Sequence, residues 1–172
     1  MRFPLELQYE EKKLRLSNLP KGVRECKENS EAIHEIWDKI KGYGKLFVES
    51  KIWDEYVFAK GILQPHCYAL EIDGGVVLIR DIRRNLSGNV VVSFWDSKLG
   101  NKVEILKEIF LYFFLLFDLA RLEVFIPDFC RALRRFFEEK LKFTYEGRMR
   151  KKMWYKDHLV DVIILSLLRE EI

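Results

Sequence analysis

The sequence is poor in residues that staple, break or sharply bend a chain. Of 172 residues, three are cysteine, four are proline and nine are glycine. Cys26, Cys67 and Cys130 are scattered, odd in number and never spaced as CxxC. That pattern encodes neither a disulfide framework nor a zinc knuckle, and three free thiols in a reducing compartment are expected. Long apolar runs are missing too. The longest, Ile109 to Phe117, is about half of the roughly 20 residues that a membrane helix needs. The amino end, "MRFPLELQYEEKK", has no apolar core of the kind a signal peptide carries. A cytoplasmic protein with no membrane partner is the expectation. Repeats, low-complexity tracts and linkers are absent, so residues 1–172 read as a single domain. Charge of one sign is not in excess: the net formal charge is +3, too small to argue for nucleic acid.

What is present is a core and many ions. The chain is 49% hydrophobic, 14% aromatic and 33% charged. This is the composition of a compact globule, and high charge with few glycines fits a thermostable one. "KKLRLSNLP" reads as an edge strand ended by Pro20 and Gly22. A helix begins at Asn29 or Ser30, with Ile33, Ile36, Trp37 and Ile40 at helical spacing, and stops at Gly42 and Gly44. "ESKIWDEYVFAKGI" reads as a short helix with Ile52, Tyr56 and Val57 on one face. From His66 the period changes to two. "CYALEIDGGVVLIRDI" is a hairpin around Gly74-Gly75, "NLSGN" is a turn and "VVVSFW" a further strand. A helix from Val103 to Asp118 is apolar nearly all round and should be buried on most sides. "RLEVFIP" is a strand, and "DFCRALRRFFEEKLK" an amphipathic helix with Phe129, Ala132, Leu133, Phe136 and Phe137 on one side. In the tail, Phe143, Tyr145, Met149 and Met153 alternate with polar residues. "YKDHL" turns the chain and "VDVIILSLL" returns as a buried strand.

The stretch "VVVSFWDSKLGNKVEILKEIFLYFF" joins an apolar strand to a long helix through "SKLGNK". Such a junction suits an anion, because the first helical turn offers unpaired N–H groups and the positive end of the dipole.

This stretch, together with "LARLEVFIPDFCRALRRFFEEKLKFTYEGRMRKKMWY" and the closing "VDVIILSLLREE", resembles the GNAT superfamily of acyl-CoA-dependent N-acyltransferases. The likeness is to the branch acting on ribosomal-protein N-termini and to short phage-encoded GNAT-like proteins. It covers roughly residues 60–172, while residues 1–60 match only in being helical. The tail carries "EG-x-x-R" and "D-x-x-x-x-S-L-L-x-x-E" patterns typical of that branch. The resemblance implies an α+β fold: a mixed, twisted sheet of six to seven strands, splayed at its centre and flanked by helices. It implies acetyl-CoA or another acyl-CoA in the splay, with Ser93, Phe94, Trp95, Lys98, Leu99, Gly100, Asn101, Lys102 and Val103 around it. It implies acyl transfer to a primary amine of a protein N-terminus, a lysine or a small molecule. The family's [Q/R]-x-x-G-x-[G/A] loop is altered here: Ser97 stands at its first position and Lys102 at its last. The asparagine often found after strand five is replaced by Phe129 or Arg131, and the glycine before the strand-six phenylalanine by Lys142. An alternative expectation follows from these departures: a GNAT-fold binding or scaffold protein that has lost the acyl-CoA site, its cleft filled by Lys102, Phe113 or Phe129.

For chemistry at an amine, the candidates are Glu71, in a strand and opposite in direction to Leu70 and Ile72, and Ser93 near the end of the following meander strand. Asp96 reads as a turn cap. No tyrosine occupies the helix after "RLEVFIP", so Cys130 or Glu138 would have to serve as acid. His66-Cys67 are adjacent in an extended segment and point opposite ways, so no metal site is expected. His34 reads as a surface residue beside Glu31 and Glu35. Arg131, Arg134 and Arg135 are placed on one helix face, and Arg148, Arg150 and Lys152 on one strand face. No aromatic-interleaved RNA motif accompanies them, which argues against nucleic acid. The exposed ends of the final hairpin suit pairing into a homodimer.

Overall fold

In a computed structural model the structure describes residues 19, 22–26, 30–41, 54–96 and 101–172. The expected edge strand "KKLRLSNLP" therefore lies almost wholly outside the described residues, as do Trp53 and the glycines at 42 and 44. Chain order is β1 (Arg24–Glu25), α1 (Ser30–Ile40), α2 (Glu55–Ile62), β2 (Tyr68–Ile72), β3 (Gly75–Arg83) and β4 (Ser87–Phe94). It continues with α3 (Lys102–Leu116), β5 (Arg121–Pro127), α4 (Arg131–Arg135), β6 (Thr144–Tyr155) and β7 (His158–Leu168). The seven strands form one mixed sheet in the order β1-β2-β3-β4-β5-β7-β6. All neighbours are antiparallel except β4 and β5.

Local chemistry explains most of the boundaries. Asp54 accepts a hydrogen bond from the Val57 N–H at 2.8 Å and starts α2 at Glu55, as a side-chain N-cap should. Capped there, the helix buries Phe58 and Ile62 and leaves Tyr56 72% exposed. This corrects the apolar face expected at Tyr56 and Val57. Gly74 turns the β2–β3 hairpin at φ +70°, a conformation that suits glycine. Its carbonyl then accepts from both Trp95 N and Asp96 N, so the hairpin turn clamps the end of β4.

One large core lies on the face under α3. It gathers Leu70, Val77, Ile79, Val90 and Val92 from one half of the sheet and Leu122, Val124, Leu165 and Leu167 from the other. Leu106, Ile109, Phe110, Phe113 and Phe114 of α3 are all buried in it, as the all-round apolar pattern required. A second cluster, on the other face, packs Ile33, Ile36, Ile40, Phe58 and Ile62 onto Ala69, Val76 and Leu78.

Three expectations for the carboxyl half are corrected. The helix after β5 is regular only from Arg131 to Arg135, and Phe136–Lys140 is a π-helical turn closed by Leu141 N to Phe136 O at 3.3 Å. The wider turn lets consecutive Phe136 and Phe137 both reach inward, onto Phe94 at 6.0 Å and Phe143 at 5.0 Å. Phe129 and Ala132 are exposed, and Phe129 stacks on Tyr155 at 4.5 Å instead. Finally, Arg148, Arg150 and Lys152 do not alternate on a regular strand. Met149 pairs with Val162 and Met153 with Val160, leaving three residues of β6 opposite Asp161 alone. Asp161 holds this bulge by accepting from Lys151 N and from Arg148, each at 2.8 Å, and Lys151 adopts φ +50°.

Candidate functional site

The site is built where the sheet opens. Parallel pairing of β4 with β5 runs from Ser87 opposite Arg121 to Val90 opposite Val124, and there the ladder ends. Val91 to Phe94 and Phe125 to Pro127 continue as separate arms, each still paired on its outer side. The inner edge of β4 thus presents backbone N–H and C=O groups to a V-shaped opening. Helix α3 begins just beyond β4, and its N-cap Asn101 makes no side-chain cap bond. First-turn N–H groups therefore sit close to the mouth of the V. Lys98, Leu99 and Gly100 lie outside the described residues.

Lys102 is buried at 5% exposure. Its ammonium donates to the Asp96 carbonyl at 2.6 Å and sits 5.1 Å above the Phe94 ring. A Cβ on Gly74 would lie 3.2 Å from it. The side chain therefore folds toward the β2–β3 turn, on the β3 side of β4, whereas the V opens on the β5 side. Phe94 contributes differently. Its ring meets Phe136 edge-on, so an aromatic contact joins the β4 arm to the π-helical turn that follows α4. Phe113 belongs to the main core, and Val103 packs against it. Trp95 packs with the second cluster and lies under the Lys39 ammonium at 5.0 Å.

Glu71 is nearly buried, and both of its oxygens are engaged. Arg24 reaches Oε2 at 2.6 Å and Lys39 reaches Oε1 at 3.5 Å. Arg24 is its register partner on β1, and Lys39 comes from α1. Reading the sequence missed both cations, since neither lies in a pattern that points to Glu71. Arg24, Lys39, Glu71, Asp73, Gly74 and Trp95 line a cavity of about 230 Å³ at the end of β4. Ser93 is buried on the same sheet face, two residues from Val91. Cys130 starts α4, and burial plus the nearby Asp128 charge raise its thiol pKa. Cys26 is more deeply inert: burial first, and the Glu71 charge second, push its pKa up to about 12. Among the described residues no group of His, Cys, Asp or Glu could hold a metal ion.

Comparison with solved structures decides what this architecture is. A spermidine N-acetyltransferase from Vibrio cholerae, in complex with CoA and spermine, superimposes with a TM-score of 0.69 at 13% identity, over 88% of this chain and 98% of its own. An acetyltransferase from Salmonella typhimurium that modifies the N-terminal serine of ribosomal protein L7/L12 gives 0.69 at 15% identity, over 88% and 97%. A ribosomal-protein-S5-alanine acetyltransferase from Vibrio fischeri gives 0.69 at 14%, over 87% and 93%.

The chain has the GNAT fold.

No family model matches the sequence, and neither does any curated protein. The fold is thus shared with acetyltransferases at a level of identity where shape persists and side chains have turned over. Within the GNAT fold, the tail patterns acquire a physical meaning. Glu146 accepts from the Ser166 hydroxyl, and Arg148 bridges Asp161 and Asp128. Glu146, Asp161 and Ser166 of these patterns make side-chain contacts between β6 and β7, and the cation that joins them is Arg148, two residues before the arginine of "EG-x-x-R". They secure the hairpin and lie outside the opening. No helix among the described residues is long and apolar enough to cross a membrane.

Proposed function

We propose that the protein is an acyl-CoA-dependent N-acyltransferase that transfers an acetyl group to a primary amine. The observation that carries this reading is the β4–β5 ladder ending at Val90 and Val124, with the uncapped first turn of α3 at the mouth of the gap. The residues present fit the cofactor. A thioester arm carries amide groups, and the inner edge of β4 has backbone partners for them. A diphosphate needs N–H donors and positive potential, which Asn101, Lys102 and Val103 at the start of α3 would supply. When bound, acyl-CoA supplies the activated acyl group.

The chain's own residues then do three things. Ser93, Phe94 and Trp95 would hold the arm, and free β4 N–H groups would stabilise an acyl oxygen as it gains charge. Glu71 takes the proton of the incoming ammonium, directly or through water. Lys39 is its looser partner, at 3.5 Å against 2.6 Å for Arg24, so Oε1 is the oxygen that can be released.

The alternative, a GNAT-fold scaffold without the cofactor, draws on one observation: the Phe94–Phe136 contact between the β4 arm and the π-helical turn. Titration calorimetry with acetyl-CoA separates the two. Saturable binding is expected. Absence of heat from folded protein at millimolar cofactor refutes the enzyme reading and leaves the scaffold. Where binding is found, transfer to a panel of peptide N-termini, lysine and polyamines identifies the acceptor.

A further inference from the structure

A second cavity, of about 590 Å³, lies at the opposite end of the sheet from the V. Gly61, Gln64, His66 and Cys67 form one wall, and Arg80, Asp81, Ile82 and Arg83 the other. The second wall is a β-bulge. Arg80 pairs with Asn89 and Arg83 with Ser87, so β3 advances three residues while β4 advances two. Asp81 absorbs the extra residue at φ +53°.

The bulge has a consequence for charge. Residues three apart on a regular strand face opposite sides. Asn89 and Ser87 are two apart and share a face, so their partners Arg80 and Arg83 share it as well. It is the face of Leu78 and the α1–α2 cluster. An irregularity thus brings two guanidinium groups to one cavity.

Asn89 supports the same conclusion. It is 3% exposed in the middle of the sheet, where an apolar residue would be favoured, and its Nδ2 has no hydrogen-bond partner among the described residues. A buried donor left unpaired is a cost that asks for a reason. What Asn89 does is accept from Arg80 Nε at 3.1 Å, a contact that fixes the oxygen toward β3 and sets the guanidinium plane. Arg83 has no carboxylate partner among the described residues. Gln64 and His66 line the facing wall with polar side chains.

We propose that this cavity binds an oxyanion, a phosphate or carboxylate carried on a small molecule, gripped by Arg80 and Arg83 with Asn89 as the positioning residue. Two planar guanidinium groups on one wall match the forked geometry of such anions. The site is remote from the V and independent of whether acyl transfer occurs.

The test is ¹⁵N–¹H NMR titration of the full chain with inorganic phosphate and, separately, with citrate, at constant ionic strength set by chloride. Expected are saturable shifts at Gly61, Gln64, His66 and Arg83 with one of the two probes, which distinguishes phosphate from carboxylate. Arg83→Ala should weaken that probe's affinity at least about tenfold. Asn89→Leu should weaken it too, while Asn89→Gln, which keeps an acceptor, should retain part. Should Asn89→Leu fail to fold, Arg83→Ala alone decides. Shifts that stay linear to about 50 mM for both probes, or that are unchanged in Arg83→Ala, overturn the proposal. So does a loss of thermal stability in Arg83→Ala without any anion response, which would give the arginine a structural role alone.

Discussion

Lys102 stands where a phosphate loop of this fold uses glycine or alanine. Its reach to the Asp96 carbonyl shows how a long side chain is accommodated: it folds sideways onto the hairpin turn. Lys102→Ala removes this charge-assisted bond from a buried setting and should cost about 1–3 kcal/mol in urea unfolding. Acetyl-CoA affinity should change less than about tenfold, because the backbone N–H groups remain. A second residue-scale prediction concerns His34, which was expected as a surface residue beside Glu31 and Glu35. It reaches across to Glu55 of α2, whose hydrogen bond and charge, followed by the charge of Asp38 on its own helix, raise its pKa above 6.5. A raised folded pKa contributes stability that is full below 6.5 and lost as pH rises through the folded value. His34→Gln should therefore destabilise the protein in mild acid and leave it unchanged in alkali, as read from melting temperature against pH.

At the scale of elements, the ends of α3 show how non-local groups complete local structure. Its carboxyl end has no basic residue in its last turn. Arg169, more than 50 residues on in the chain, donates to Leu119 O at 2.6 Å, Phe114 O at 3.1 Å and Asp118 at 2.8 Å. A cation there satisfies the last carbonyls and complements the dipole. Arg169→Ala should cost about 1–3 kcal/mol, with amide exchange rising first at residues 114–120. The strands, the long helices and the Gly74-Gly75 hairpin were legible because their cues are local: period two, period 3.6, a capping signal at Asn29 or Ser30, and paired glycines between two strands. The π turn at Phe136 was not, because Phe94 and Phe143, which draw its two rings inward, lie in other elements. Nor was the β6 bulge, which Asp161 holds from the neighbouring strand.

For the whole molecule, the main core matters most. It takes side chains from both arms of the opening, Val90 and Val92 on one and Leu122 and Val124 on the other, under one helix. The two halves of the sheet should therefore unfold together. Tryptophan fluorescence and far-ultraviolet circular dichroism should give coincident urea transitions; separated midpoints would show that the halves are independent. Acetyl-CoA at 100 times its dissociation constant should raise stability by about 2.7 kcal/mol, with one transition shifting as a unit.

Periodicity, glycine placement and the strand-to-helix junction specify the elements and their order, and the tail patterns point to the GNAT fold. These features rest on neighbours within a few residues, so one chain displays them. Tertiary structure decided the rest. It ended the β4–β5 ladder at Val90, set Arg24 and Lys39 on Glu71, turned the Lys102 ammonium away from the opening and brought Arg80 and Arg83 to one cavity. The Lys102 contact is short in sequence, but the Gly74 turn fixes the Asp96 it reaches; the other outcomes depend on strand register or on partners more than 20 residues away, and a one-residue change of register moves side chains to the opposite face.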